Sequence, residues 1–127
     1  MNYHSPAFLM THCQDILKFY DPRVKDSQGG YFQNYMDNGD LFDSGFKQLV
    51  SSTRIVVNYA TAGMLFERDD YLKMARHGLD FVEQVHWQPD ADGYAWTLQD
   101  NQPQDMTQQA YGYAFVLLAY AAARKAG

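Results

Sequence analysis

An all-α fold with short β-hairpins set between its helices is predicted by three features of this 127-residue chain. Apolar residues recur with helical periodicity over four stretches. Two aromatic, glycine-bearing stretches between those helices end in strong turn signals. The pattern of the first half also returns in the second.

The first helix is expected from about Pro6 to Phe19, with Ser5 as N-cap and Pro6 suited to the first helical position. Phe8, Leu9, His12, Ile16 and Phe19 share one face. After it, Gly29-Gly30-Tyr31-Phe32-Gln33-Asn34-Tyr35-Met36 reads as an aromatic strand, and Asp37-Asn38-Gly39-Asp40 as the turn of a hairpin. The second helix is expected from about Phe46 to Glu67, with Leu49, Val50, Ile55, Val56, Tyr59, Ala60, Met64 and Leu65 as its apolar surface. The third, from about Asp70 to Val85, buries Tyr71, Met74, Leu79, Phe81 and Val82. A second hairpin follows, Asp92-Gly93-Tyr94-Ala95-Trp96-Thr97-Leu98-Gln99 leading into Asp100-Asn101-Gln102-Pro103. The fourth helix begins near Thr107 and continues through Tyr111, Ala114, Phe115, Leu118 and Ala122 towards Lys125. Arg124 and Lys125 suit the negative end of its dipole.

The two halves correspond. Gly30, Tyr31, Asp37 and Asn38 recur as Gly93, Tyr94, Asp100 and Asn101 at an offset of 63. Asp43 answers to Asp105 at an offset of 62, and Tyr59-Ala60 to Tyr120-Ala121 at 61. Single-residue deletions in loops or at a helix start account for the drift. Each unit is then helix, hairpin, helix: repeat one over about 6–67 and repeat two over about 70–125, inside one domain spanning 1–127. Units of this kind cannot bury both faces alone, and two copies leave open ends. The fourth helix, with Tyr111, Tyr113, Phe115, Val116, Leu117 and Leu118, is apolar on more than one side, as helices enclosed by neighbours are. The expectation is the front portion of a larger helical assembly, with self-association through its exposed helix faces.

Composition narrows the function. Hydrophobic residues at 46% against 20% charged supply a packed core. Ten Lys and Arg against fifteen Asp and Glu give a net charge of −5, without the basic stripe that nucleic acid requires or a polybasic segment for an anionic membrane. No apolar run approaches the roughly 20 residues of a membrane span, and Met1 to Pro6 lacks the features of a signal peptide. A single cysteine, Cys13, precludes an intrachain disulfide and a multi-thiolate zinc site. A cytoplasmic protein is expected. Two Trp, ten Tyr and eight Phe make the chain 16% aromatic. Such rings line carbohydrate sites, where a face packs on sugar C–H groups and a hydroxyl serves sugar oxygens, and they equally fill helical cores.

Gly29-Gly30-Tyr31-Phe32, then Asp37-Asn38-Gly39, then Ser51-Ser52-Thr53-Arg54-Ile55-Val56-Val57-Asn58-Tyr59-Ala60 resembles the start of an N-acylglucosamine 2-epimerase family protein. Asp92-Gly93-Tyr94, Asp105 and the run Tyr111 to Ala119 resemble that family's next repeat. The family includes mannose isomerases, related aldose–ketose isomerases and cellobiose 2-epimerases. The resemblance implies an (α/α)6 barrel, of which four helices are about a third, with a monosaccharide or small sugar in its central cleft. It also implies proton transfer through an enediolate without a metal or other cofactor. The family's acid and base are histidines of later repeats, beyond this chain.

Arg54 is the candidate catalytic residue. It lies in an apolar helical stretch between Val50 and Asn58, where a permanent charge needs an anionic or hydrogen-bonding partner. The resemblance places it near the substrate carbonyl, and Arg is suited to a developing enediolate. The competing readings are a surface Arg and a structural salt bridge with Asp43. Tyr111, at the head of the fourth helix, is the candidate substrate-binding residue, against a plain core tyrosine. Tyr113 stands where many relatives carry His, and no role is assigned to it.

Other polar clusters carry less. His4, His12, His77 and His86 lack metal-ligand spacing, and His12 is expected as a packing histidine. Asp37, Asp40 and Asp43 lack the calcium-loop pattern and read as turn carboxylates. Gly29-Gly30 is no phosphate loop, and Cys13 has no basic neighbour to activate it. The leading expectation is therefore the N-terminal third of a sugar isomerase or 2-epimerase, inactive alone. An (α/α)6 glycoside hydrolase fragment using Asp43 and Asp105 as its carboxylate pair is the first alternative. A non-catalytic helical interaction module is the second.

Overall fold

The computed structural model describes residues 2–127. Ser5 caps the first helix, α1 (Pro6–Tyr20), its Oγ accepting the Phe8 N–H at 3.1 Å, and Pro6 opens the first turn as expected. A hairpin of β1 (Asn34–Tyr35) and β2 (Leu41–Asp43) follows, then β3 (Phe46–Gln48) and α2 (Leu49–Leu65). The second half runs through α3 (Asp69–Phe81), a π-helical turn at Val82–His86 and β4 (Trp87–Gln88). Then come β5 (Gly93–Tyr94), β6 (Thr97–Gln99), β7 (Gln102–Asp105) and α4 (Ala110–Ala126). Strands β1–β2 and β4–β5 form two-stranded antiparallel pairs, and β3, β6 and β7 form one antiparallel sheet in that order.

Helix α2 is the centre of the packing, in contact with both α3 and α4, which also touch each other. Val56, Tyr59 and Ala60 of α2 meet Tyr71, Met74 and Ala75 of α3 and Ala119 of α4 in the main core cluster. Tyr31 is fully buried there, and its hydroxyl donates to the Met74 carbonyl at 2.5 Å. A second cluster, Leu49, Val82 and Val116, joins α2 to the N-terminal half of α4.

Several boundaries differ from the sequence reading, each for a tertiary reason. Phe46–Gln48 is a strand rather than the first turn of α2, pairing Phe46 with Gln99 and Gln48 with Thr97. Its alternating burial turns Lys47 inward, where the ammonium meets Asp26 Oδ2 at 2.6 Å and the Gly29 carbonyl at 2.7 Å. The aromatic strand is shorter than expected, because Gly29 and Gly30 take left-handed φ values of 122° and 71° and break the extension. Helix α3 ends at Phe81, and the π-helical turn after it rotates His86 into the interior. Helix α4 starts at Ala110, since the Asp105 carboxylate holds the Thr107 N–H in a turn. The Asp100-Asn101 turn is as expected, both residues adopting positive φ in a tight β6–β7 connection.

Helices α1 and α4 are the least covered. Helix α1 has no buried residue, and the stripe expected to pack is only partly covered: Leu9 is 49% and Ile16 48% exposed, while Phe8 and Phe19 are half-buried. His12 is exposed as well, stacked on Phe8, and is not a core histidine. On α4, Leu117 and Leu118 lie open, and Tyr111 and Ala114 face solvent too. Met64 and Leu65 at the end of α2 are likewise exposed. No helix among the described residues is long and apolar enough to cross a membrane.

Candidate functional site

The two residues singled out from sequence, 57 positions apart, lie side by side. Arg54 Nη2 donates to the Tyr111 hydroxyl at 2.8 Å. The guanidinium carbon also sits 4.6 Å from the centre of the Phe115 ring. Tyr111 and Phe115 are one helical turn apart and meet edge to face at 5.0 Å. Arg54 projects from α2 and the two rings from α4, so the packing of these helices creates the cluster. Both Arg54 and Tyr111 are exposed. Arg54 is therefore not the inward-facing residue that its apolar surroundings suggested.

No salt bridge neutralises Arg54: among the described residues it has no carboxylate within 4.0 Å. The expected structural partner, Asp43, is engaged elsewhere, its Oδ1 accepting the N–H groups of Gly45 and Phe46, both at 3.0 Å. The arrangement has a chemical consequence. Since the Tyr111 oxygen accepts from Arg54, its own proton is left to donate to a ligand oxygen. The planar guanidinium is oriented on the Phe115 face and keeps further N–H groups for an anion or a carbonyl.

Rigid parts hold this exposed group. Gly112, next to Tyr111, lies against Trp96, and a Cβ there would come within 2.7 Å of the indole and 3.2 Å of Leu49. Trp96 is fixed by backbone bonds on both sides, its carbonyl accepting from Leu49 N and its N–H donating to the Asp105 carbonyl. On α2, Ser52 joins a buried chain of hydrogen bonds two residues before Arg54. Gln33 Nε2 donates to Ser52 Oγ at 2.9 Å, and Ser52 meets His86 Nε2 at 2.9 Å. His86 Nδ1 lies 3.0 Å from the Ala95 carbonyl, which can only accept, so Nδ1 carries the proton and Ser52 donates to Nε2. Burial pushes the His86 pKa down to about 4, the Ala95 carbonyl opposing and the Lys47 charge adding to the shift.

His86 and Lys47 passed unassigned in the sequence, and no local motif marks either. Phe115 was read as part of an apolar face, although its i, i+4 spacing from Tyr111 is a usable sign of a shared surface. Tyr113 donates to Gln108 Oε1, and Gln108 Nε2 donates to the Tyr94 and Met106 carbonyls, so this tyrosine secures the loop before α4. His77 Nε2 is bound to the Gly30 carbonyl at 2.8 Å. Among the described residues no group of three His, Cys, Asp or Glu side chains converges as metal ligands.

Asp43 and Asp105 play matching parts in the two halves, each accepting backbone N–H groups just downstream. Hydrogen bonds from Phe46, Gly45 and Gln99 hold the Asp43 carboxyl below its usual range, and those from Thr107 do the same for Asp105. A glycosidase acid needs the opposite perturbation, a raised pKa. These two carboxylates serve turns.

With the geometry in place, the chain can be compared with known proteins. A family model described as N-acylglucosamine 2-epimerase (GlcNAc 2-epimerase) matches residues 30–127. The D-mannose isomerase of Marinomonas mediterranea is 38% identical over 125 residues, covering 98% of this chain and 32% of that protein. A cellobiose 2-epimerase from Eubacterium cellulosolvens is 27% identical over 110 residues, 86% of this chain and 27% of the relative. A crystal structure of D-mannose isomerase superposes with a TM-score of 0.96 at 36% identity, covering all of this chain and 32% of that one. The cellobiose 2-epimerase of Spirochaeta thermophila shares the fold, with a TM-score of 0.75 at 18% identity. The chain thus spans about a third of the length of the curated relatives it matches.

Proposed function

Since the chain belongs to the N-acylglucosamine 2-epimerase family and corresponds to an N-terminal portion of its relatives, we infer that it is the first third of a sugar isomerase or 2-epimerase. In this reading, residues 6–67 and 70–125 are two helix–hairpin–helix repeats of an (α/α)6 barrel. Its substrate is a free aldose in open-chain form. A base removes the proton beside the carbonyl, the electron pair passes to the carbonyl oxygen, and the proton returns to a different carbon or face. Arg54 stabilises the enediolate oxygen as charge develops there. Tyr111 lines the pocket and donates its hydroxyl proton to a sugar oxygen.

The observation that carries this reading is the Arg54–Tyr111 pair: an exposed guanidinium without a carboxylate partner, held by a hydroxyl and a ring. The proton-transfer groups come from outside the chain. His86 is buried and neutral, and His77 is tied to the Gly30 carbonyl. Alone, the chain is inactive.

A chimera tests the proposal. This chain replaces the corresponding third of the M. mediterranea D-mannose isomerase, and isomerisation of free aldoses is assayed. Turnover is expected, and Arg54→Ala in the chimera should lower kcat by roughly 10²–10³, the cost of one oxyanion-stabilising donor. A folded chimera that binds sugar but shows no turnover, or one indifferent to Arg54→Ala, overturns the reading.

A further inference from the structure

We propose that Phe115 is the positioning residue for Arg54: its ring face fixes where the guanidinium points and leaves the positive charge unspent for the substrate oxygen. The proposal rests on the role given to Arg54 above and adds a residue that acts through it.

An exposed arginine carries its head on a long, mobile stem, so a single hydrogen bond does little to fix it. Here the contacts close on one another. The Arg54 guanidinium carbon lies 4.6 Å from the Phe115 centroid, and Arg54 Nη2 donates to the Tyr111 hydroxyl at 2.8 Å. The Tyr111 and Phe115 rings meet at 5.0 Å with an interplanar angle of 68°. Each member of this triangle touches the other two. Without the Phe115 ring, the guanidinium would keep one hydrogen bond about which it could swing.

The chemistry of the neighbour matters as much as the contact. A carboxylate in the place of Phe115 would hold the guanidinium more firmly, but a bidentate pair would occupy two N–H groups and offset the charge. Arg68 shows that alternative: it lies 4.3 Å over the Tyr71 ring and also gives two hydrogen bonds to Asp70, at 2.7 and 2.6 Å. A ring face attracts a cation through its quadrupole and brings no negative charge of its own. Arg54 has the ring and a hydroxyl, and among the described residues no carboxylate within 4.0 Å. It is held as an anchored arginine is held, yet its charge stays available.

The ring can act as a platform because its own helix is seated. Phe115 is half-buried, and Val116 and Ala119 of the same helix are buried in clusters shared with α2. The repeat register brings ring and cation to one level. The offset of 61 that relates Tyr59-Ala60 to Tyr120-Ala121 also relates Arg54 to Phe115, so equivalent positions of α2 and α4 carry the two partners. Both belong to helices already packed together within this chain.

The chimera described above serves for the test, with two readouts. In the first, increasingly fluorinated phenylalanines are installed at position 115. Fluorine drains negative potential from the ring face and changes its volume little, so a mere packing role would be indifferent to it. The logarithm of kcat should fall stepwise along the series, and Phe115→Leu should lower kcat by about 2- to 30-fold, the range of a cation–π contact. In the Arg54→Ala background neither change should lower kcat further. In the second, the Arg54 side chain is followed by NMR in selectively labelled chimera. The ring current should move the Arg54 Cδ protons upfield of their position in Phe115→Leu, with or without turnover. A flat fluorine series in an active chimera, an undiminished loss in the absence of Arg54, or an Arg54 signal indifferent to Phe115→Leu each overturns the proposal. An inactive chimera that keeps the ring-current shift supports the holding role and refutes the sugar reading alone, so the two fail separately.

Discussion

Lowering the pH from about 7 to about 5 should destabilise this fold chiefly through His86. The imidazole is fully buried, with Nδ1–H given to the Ala95 carbonyl and Nε2 accepting from Ser52. A second ring proton would turn Nε2 from an acceptor into a donor and end the hydrogen bond that Ser52 donates to it. It would also place a positive charge away from water and near that of Lys47. Burial is the larger effect, and the folded pKa falls to about 4 from an ordinary 6.5. The unfolded chain therefore binds more protons than the folded one between those values, and stability rises with pH across the window. His86 contributes fully above about pH 6.5, and its contribution is lost as the pH falls towards 4. A difference of roughly 2.5 pH units is worth about 3 kcal/mol in all, of which about 2 kcal/mol disappears between pH 7 and pH 5. Carboxylates held low by hydrogen bonds, such as Asp43 and Asp105, act in a separate window below their ordinary value of 3.8.

The assay is urea unfolding followed by tryptophan fluorescence at half-unit pH steps from 7.5 to 4.5, for the parent chain and for His86→Gln. The parent should lose stability with a slope approaching about 1.4 kcal/mol per pH unit near pH 5. The glutamine variant should be weaker at pH 7, through lost packing and hydrogen bonds, yet nearly flat across the same range. Equal slopes for the two proteins would refute the assignment of the proton uptake to His86.

Two further stability predictions concern residues that the sequence left unmarked or ordinary. Lys47→Met strands the Asp26 carboxylate, whose partner lies at 2.6 Å and is 1% exposed, and should cost about 3–5 kcal/mol in chemical denaturation. Adding Asp26→Asn should restore much of that loss, because the uncompensated charge is then gone. Gly112→Ala forces a methyl group against Trp96 and Leu49 and should cost about 1–3 kcal/mol, seen as a lower Tm and an altered near-ultraviolet tryptophan signal.

What could be read from the sequence divides by range. The Ser5 cap, Pro6 at the helix start and the Asp100-Asn101 turn were legible because each is decided within a few residues. Phe46–Gln48 was misread as helix because what makes it a strand lies far away. Its pairing partners are Thr97–Gln99, and the partner of Lys47 is Asp26. The stripe on α1 was visible as periodicity, but periodicity marks an apolar face without telling whether anything covers it. Arg54 and Tyr111 were each identified by resemblance to the same family. Their contact depends on how α2 packs on α4, which neither segment encodes alone, and Phe115 enters only through that packing.

The candidate site is exposed, but its placement is decided underneath. Ser52 precedes Arg54 by two residues, so the Gln33–Ser52–His86–Ala95 chain ties the first turns of α2 to the β1 and β5–β6 regions. Gly112 and Trp96 perform the matching task for α4, seating Tyr111 at a fixed height on the sheet that carries Leu98 and Thr97. A guanidinium on a long flexible stem gains little from one exposed hydrogen bond unless its acceptor is already in place. Under the proposed function the buried groups would therefore have a functional consequence. In the chimera proposed above, Gly112→Ala would shift Tyr111 relative to Arg54 without touching either, so turnover should fall by more than the folded fraction does. A loss of turnover that merely tracks unfolding would mean that Tyr111 needs no such seating.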